Sequence, residues 1–282
     1  LEPQPVARLP VATVSESGLM GLALDRRFAE TGHLYVCYTT RKGDRLVNRV
    51  SRLTVKEMQA GDERVLLDDM PGAPIHDGCR LRFGPDGKLY LTMGDAAAPR
   101  LAQQRDSLAG KILRLEPDGT VPGDNPFPGS PVWSLGHRNP QGIAWDAADR
   151  LVAAEHGPSG HDELNAILPG RNYGWPEITG RGGDPRYVDP ILESGRTTWA
   201  PSGIAILGTT LYVACLRGQQ LLRVELTPDL RAGRAAALLE DTYGRLRAVV
   251  AGPDGALYVT TSNRDGRGSP ARDDDRILRV SP

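Results

Sequence analysis

The chain has 282 residues, of which 39% are apolar, enough for a sizeable core and too many for a disordered chain. Its 34 Lys and Arg are balanced by 35 Asp and Glu, a formal net charge of −1 that supplies no bulk attraction to nucleic acid or an anionic membrane. Gly (33) and Pro (23) make the chain rich in turns, yet no run of about 18 apolar residues is present to span a bilayer.

The chain opens on Leu1-Glu2-Pro3-Gln4-Pro5, without Met, basic segment or apolar signal core, so its natural start is expected upstream. The following stretch, Pro5-Val6-Ala7-Arg8-Leu9-Pro10-Val11, reads as a lone strand. A strand–turn–strand unit comes next, Gly21-Leu22-Ala23-Leu24-Asp25 to His33-Leu34-Tyr35-Val36-Cys37-Tyr38, and it is the first of five. The second is the clearest, Phe83-Gly84-Pro85-Asp86-Gly87-Lys88-Leu89-Tyr90-Leu91-Thr92. Here Pro presets φ and Gly accepts a positive φ at no steric cost. Units three and four run Gly142-Ile143-Ala144-Trp145-Asp146 to Leu151-Val152-Ala153-Ala154 and Gly203-Ile204-Ala205-Ile206 to Leu211-Tyr212-Val213-Ala214. The fifth, Ala251-Gly252-Pro253-Asp254-Gly255-Ala256-Leu257-Tyr258-Val259-Thr260, repeats the second almost residue for residue.

A third strand follows most hairpins, at residues 48–53, 111–115, 220–224 and 276–280. Apolar and basic positions alternate in it, which predicts one packed and one solvated face. Helix is nearly absent, with at most a turn or two in residues 54–60 and 100–109. Repeated small antiparallel sheets with little helix predict an all-β fold, a β-propeller forming one domain over residues 1–282. The last strand lacks a complete sheet, and residues 5–11 are the expected segment to complete it and close the ring. Three cysteines, Cys37, Cys79 and Cys215, are too few and too scattered for a disulfide scaffold. Cys37 and Cys215 lie inside apolar strand patterns and are expected to be buried thiols.

Polar clusters recur at equivalent places in the repeat, before innermost strands or after second strands. They are Glu16-Ser17-Gly18, Ile75-His76-Asp77-Gly78, Gly136-His137-Arg138-Asn139-Pro140-Gln141-Gly142, Glu155-His156-Gly157-Pro158, Leu216-Arg217-Gly218 and Tyr243-Gly244-Arg245-Leu246-Arg247. Each alone has a plain structural explanation. His76 suits a satisfied turn histidine, Gly157-Pro158 an ordinary turn, and Asp162 and Glu163 surface charge. Arg245 and Arg247 alternate on one strand face, as a solvated edge would. No nucleophile elbow, phosphate-cradling loop or His-x-x-x-His pair occurs. Six clusters at matching positions exceed what loop decoration explains.

His76-Asp77-Gly78, the 136–142 run, Asn172-Tyr173-Gly174-Trp175-Pro176 and Thr261-Ser262-Asn263-Arg264-Asp265-Gly266-Arg267-Gly268 resemble the soluble PQQ-dependent sugar dehydrogenases, in the aldose rather than the glucose-specific branch. The resemblance runs from about Val6 to Val280. It implies a PQQ- and Ca²⁺-dependent oxidation of aldoses at the anomeric carbon to lactones, with electrons passed to an acceptor other than O₂. PQQ carries three carboxylates, which arginine suits better than lysine. By resemblance Arg245 and Arg247 hold PQQ, Arg217 stands at a family lysine position, and Arg138 and Asn139 lie against the quinone oxygen. Glu16 stands close by, where the glucose-specific relatives carry Gln. His76 matches the general base that takes the anomeric hydroxyl proton. The carbonyls of Gly157 and Pro158 correspond to ligands of the Ca²⁺ at PQQ, and Glu163 with the Tyr173 carbonyl to a second, structural Ca²⁺.

Departures accompany the match. The family begins with one more hairpin, giving six blades, whereas five are readable here; the expected causes are truncation or a five-bladed relative whose ring closes differently, and a ring left open would aggregate or dimerise through its exposed edges. Ile75 stands where glucose-specific relatives have Asp, removing a partner for the base, and Cys79 replaces a small residue. Absence of long insertions implies an open cleft and broad aldose tolerance. Other readings of the same scaffold are a non-catalytic binding propeller and a Ca²⁺-dependent lactonase. The relatives' usual export implies a periplasmic or secreted protein, and the absence of Trp-rich or Met-rich exposed patterns points to a monomer, with no nucleic-acid or membrane partner expected.

Overall fold

The computed structural model describes residues 4–281, with nineteen strands in five antiparallel sheets. Sheet 1 is β1 (Leu19–Leu24), β2 (His33–Lys42), β3 (Arg45–Lys56) and β4 (Gln59–Pro71). Sheet 2 is β5 (Leu81–Phe83), β6 (Leu89–Met93), β7 (Lys111–Leu115) and β8 (Val132–Leu135). Sheet 3 is β9 (Pro140–Trp145), β10 (Leu151–Glu155), β11 (Glu163–Ile167) and β12 (Leu192–Glu193). Sheet 4 is β13 (Pro201–Leu207), β14 (Thr210–Cys215), β15 (Gln220–Leu226) and β16 (Ala232–Leu238). Sheet 5 is β17 (Leu246–Ala251), β18 (Leu257–Thr261) and β19 (Ile277–Val280). Each is a meander in chain order, the blade of a β-propeller. The five hairpins expected from the repeat are the first two strands of the five blades.

The repeat has a side-chain signature as well as a turn. In sheet 2, Gly87 has φ +77° and its amide donates to the Gly84 carbonyl at 3.0 Å. In sheet 5, Gly255 has φ +74° and donates to Gly252 at 3.1 Å. The turn aspartate then collects the strands beside it. Asp86 accepts from Tyr90 Oη and Arg114 Nε, at 3.1 and 3.0 Å. Asp254 accepts from Tyr258 Oη and Arg279 Nε at the same two distances. The arginine of the third strand is thus a cross-strand clamp; in sheet 5 it stays on the solvated face that the alternation predicts, its side chain 55% exposed. Sheet 2 departs from that prediction. Lys111 and Arg114 on β7 are both buried, Arg114 paired to Asp86 and Asp124 and Lys111 donating to the carbonyls of Leu101, Ala102 and Ala109.

Two compact units divide the chain, Leu1–Asn139 with Pro169–Pro176, and Pro140–Leu168 with Glu177–Pro282. In the first, Tyr35, Cys37 and Val50 of sheet 1 pack against Leu81, Leu89, Leu91, Met93 and Leu113 of sheet 2. In the second, sheets 3 and 4 meet through Val152, Leu164, Ile204 and Val213, and sheets 4 and 5 through Tyr212, Leu221, Val249 and Val259.

Three expectations are corrected. Residues 5–11 do not extend sheet 5, which has three strands among the described residues. They lie instead over sheet 1, with Ala7, Leu9 and Val11 on Val36, Tyr38 and Leu53, the Ala60 amide donating to Val6 and Thr40 Oγ1 to Pro10. Pro5 and Pro10 lack the N–H a ladder needs, so the segment covers a sheet face. Residues 54–60 are a hairpin rather than helix, because Glu57 and Met58 both take positive φ (48° and 60°) in a two-residue turn between β3 and β4. Of residues 100–109, only the start is helical, inside a 3₁₀ turn at Pro99–Gln103. A short α1 (Phe28–Thr31) in the first hairpin was not foreseen. Finally, Cys37 is no free thiol. It forms a disulfide with Cys79, 42 residues away, a closure worth about 4 kcal/mol in the chain-entropy picture. Cys215 is a buried free thiol, as expected, and burial pushes it up to about 12.

Candidate active site

In the first unit the lead-in to β5 turns sharply back on itself. His76, Gly78 and Cys79 have φ of +63°, +64° and +64°. The turn is tied down at each step. The His76 amide donates to Glu16 Oε2 at 3.1 Å, the His76 carbonyl accepts from Ala96 at 3.1 Å, and the Cys79 amide donates to Thr92. Asp77 is buried and accepts from Asn48 Nδ2 and the Ala73 amide at 2.8 and 3.0 Å. Burial raises its carboxyl to about 6 even though those two donors favour the charge.

The His76 ring projects toward Asp95, just beyond β6, with Nδ1 2.8 Å from Oδ1. The same Oδ1 accepts from the Ala97 amide at 2.9 Å, and Oδ2 accepts from Trp175 Nε1 at 2.8 Å. A carboxylate that accepts only fixes the tautomer: the proton sits on Nδ1 and the lone pair on Nε2. The Asp95 side chain is 1% exposed and that of His76 15%, so the pair is screened while the ring keeps an outlet.

The 136–139 run closes around this pair. The Arg138 carbonyl accepts from the Asp95 amide at 2.8 Å, and its guanidinium lies 5.4 Å from the Trp175 ring centroid. Buried His137 stacks on Tyr173 at 4.7 Å and shares a 2.8 Å hydrogen bond with Ser134. Gln103 fastens the 172–175 segment through Asn172 and the Trp175 carbonyl. Asn139 is fully buried, yet among the described residues neither its Oδ1 nor its Nδ2 has a hydrogen-bond partner. Such orphaned amides are rare, and one beside the His76 turn and an arginine marks a place for an outside polar group.

In the second unit, Arg245 and Arg247 both reach Asp265, at 2.9 and 3.2 Å, as expected of residues on one strand face. Arg247 Nε also donates to Ser262 Oγ at 2.8 Å. Burial opposes the Asp265 charge, but the Arg267 amide and the Arg245 guanidinium outweigh it and hold the carboxyl low. Two guanidinium groups on one carboxylate leave a local surplus of positive charge. Arg217 is exposed just after β14. The Gly157 amide donates to Asp162 Oδ1 at 2.9 Å, while Asp162 Oδ2 takes the Trp199 and Ala200 amides. That buried aspartate shapes the Gly157-Pro158 turn and is no surface charge. Glu163 accepts from Gly180 N and Asn165 Nδ2, at 2.8 and 3.0 Å. Burial first, then the nearby Glu155 and Glu193 charges, lift its carboxyl to about 8.

Sequence reasoning missed Asp95 and gave Trp175 no task. Asp95 carries a faint signal, an aspartate two residues past the end of a strand, in register with the His76 turn only once β5 and β6 pair. It also answers the concern over Ile75. The His76 ring draws its partner from Asp95, so an acid at position 75 is not needed to orient it.

The Glucose / Sorbosone dehydrogenase family model matches residues 2–278. The PQQ-bound aldose sugar dehydrogenase of Streptomyces coelicolor superposes with a TM-score of 0.92 at 44% identity, covering 96% of this chain and 82% of that one. A putative oxidoreductase (glucose dehydrogenase) of Thermus thermophilus gives 0.93 at 48% identity, covering 98% and 86%. Among sequences, the aldose sugar dehydrogenase YliI of Escherichia coli is 29% identical over 298 residues, 95% of this chain and 78% of its own. With that match spanning nearly its whole length, the chain belongs to the Glucose / Sorbosone dehydrogenase family.

Proposed function

We propose that the protein is a PQQ- and Ca²⁺-dependent dehydrogenase that oxidises aldoses at the anomeric carbon to lactones and passes the electrons to an acceptor other than O₂. The observation that carries this reading is the His76–Asp95–Trp175 array beside the orphaned amide of Asn139. The residues present suit the cofactor. Arg245 and Arg247 offer a cationic pair for its carboxylates, with Arg217 in support. Asn139 and Arg138 offer polar groups for a quinone oxygen. The Gly157 and Pro158 carbonyls offer oxygen donors for a hard cation at the cofactor, and half-buried Glu163 with the Tyr173 carbonyl offers donors for a second.

When bound, PQQ supplies an electrophilic quinone that accepts hydride, made more electron-poor by Ca²⁺. The chain supplies the proton chemistry. His76 Nε2 takes the proton of the anomeric hydroxyl, Asp95 holds the ring in the tautomer with that nitrogen free, and the resulting imidazolium is stabilised by the same carboxylate. Arg138 opposes negative charge developing near it. Glu16 fixes the His76 backbone, a holding role beside the expected one at the cofactor.

The Cys37–Cys79 disulfide supports a periplasmic or secreted setting, since such bonds persist in oxidising compartments. Among the described residues, no helix is long and apolar enough to cross a membrane. The test is reconstitution: purified protein with PQQ and Ca²⁺, dye reduction followed over a panel of mono- and disaccharides. Turnover that requires both additions and tolerates several aldoses is expected. Failure to bind PQQ would overturn the reading.

A further inference from the structure

The turn that presents His76 belongs to the approach to sheet 2, yet its two firmest anchors lie on sheet 1. Asp77 is held by Asn48 of β3, and Cys79 is bonded to Cys37 of β2. Both half-cystines are fully buried. Two non-glycine residues, His76 and Cys79, sit in the left-handed region on either side of Asp77 and Gly78. Side chains of that kind do not hold such angles unless the surroundings over-determine them. The backbone also leaves little slack: a Cβ on Gly78 would press on Gly94 N at 2.8 Å, and a Cβ on Gly21 would strike the Cys79 carbonyl.

We propose that the Cys37–Cys79 disulfide is the positioning element that keeps His76 in its left-handed, Asp95-paired state, so that the site's proton transfer depends on the thiol state of this pair. The inference rests on the proposed role of His76. Reduction breaks the Sγ–Sγ bond, takes two electrons and two protons from a small dithiol, and leaves two Sγ–H groups, while the dithiol departs as its cyclic disulfide. Cys79 is then free to leave its angle, and the ring three residues earlier loses its fixed distance to Asp95. Misplacement of a catalytic group by about 1 Å costs up to about 10²-fold in rate.

Two proteins test this: Cys37→Ala/Cys79→Ala, and the parent reduced with dithiothreitol. Each is read by long-range ¹H–¹⁵N spectra of the histidine rings without cofactor, and by kcat and KM after loading with PQQ and Ca²⁺. The expected result is an intact fold, PQQ binding near that of the parent, a His76 signal that leaves the pure Nδ1-protonated form, and kcat lower by about tenfold or more with KM little changed. Re-oxidation of the reduced parent restores both. An unchanged His76 signal overturns the proposal, and so does unchanged kcat. Loss of the whole fold in both proteins overturns it as well, because the bond is then a staple of the fold rather than of the base. If the oxidised parent never oxidises a sugar, the functional reading fails, while the ring spectrum still decides whether the disulfide sets the tautomer.

Discussion

The surroundings of His76 and those of Arg245 and Arg247 are built on opposite principles. Around His76, the Asp95 carboxylate has both oxygens in use and the turn backbone is tied to its neighbours at each step. Around Arg245 and Arg247, charge is deliberately unequal, with two cations on one carboxylate. A group that must accept a proton at a set point needs every other option closed. A group that must hold an anion needs capacity left over. On the proposed roles, proton transfer and anion binding are therefore separable by mutation.

The largest separation should come from His76→Ala: about a 10³-fold loss of kcat, with the PQQ dissociation constant unchanged, read by dye reduction and cofactor titration. Asp95→Asn should lower kcat by about 10²-fold, because an amide at this place presents the ring with a donor and relaxes the tautomer. A fall in affinity without a fall in kcat in either variant would break the contrast. Asp77 tests the anchoring in another way. Its carboxyl is raised to about 6 from 3.8, so its contribution to stability is complete below about pH 4 and is lost as the pH rises through 6. Asp77→Asn, which cannot ionise, should be the more stable protein by about 3 kcal/mol at neutral pH and close to the parent near pH 4, by urea unfolding at the two values. The smallest effect belongs to the other region: Arg247→Ala should weaken PQQ binding about tenfold and leave kcat at saturation as it was.

Much of this was legible in the sequence. The five hairpins were, because Pro-Asp-Gly fixes a turn by local geometry alone. The basic residues of the third strands were read only in part: the solvated face holds at Arg279 and fails at buried Lys111 and Arg114. Alternation tells which side of a strand Arg114 and Arg279 occupy, but not that Asp86 and Asp254 wait on that side. The outermost strands β4, β8, β12 and β16 escaped notice because they are irregular or half exposed, with little alternation to mark them. In the site, His76, Arg138 and Asn139 were found through runs of adjacent residues. Asp95 and the pairing of Cys37 with Cys79 were not, since both come from strand register over long stretches of chain, which no local pattern records.

The one free cysteine has a practical use. Cys215 ends β14 inside the core of sheet 4, its thiol pushed up to about 12 by burial, so it is inert to thiol reagents while that sheet is closed. With the other two cysteines bonded to each other, the oxidised protein carries a single silent reporter. The rate at which an alkylating dye finds it counts the openings of the fourth blade, one event at a time, with no label added and no residue changed.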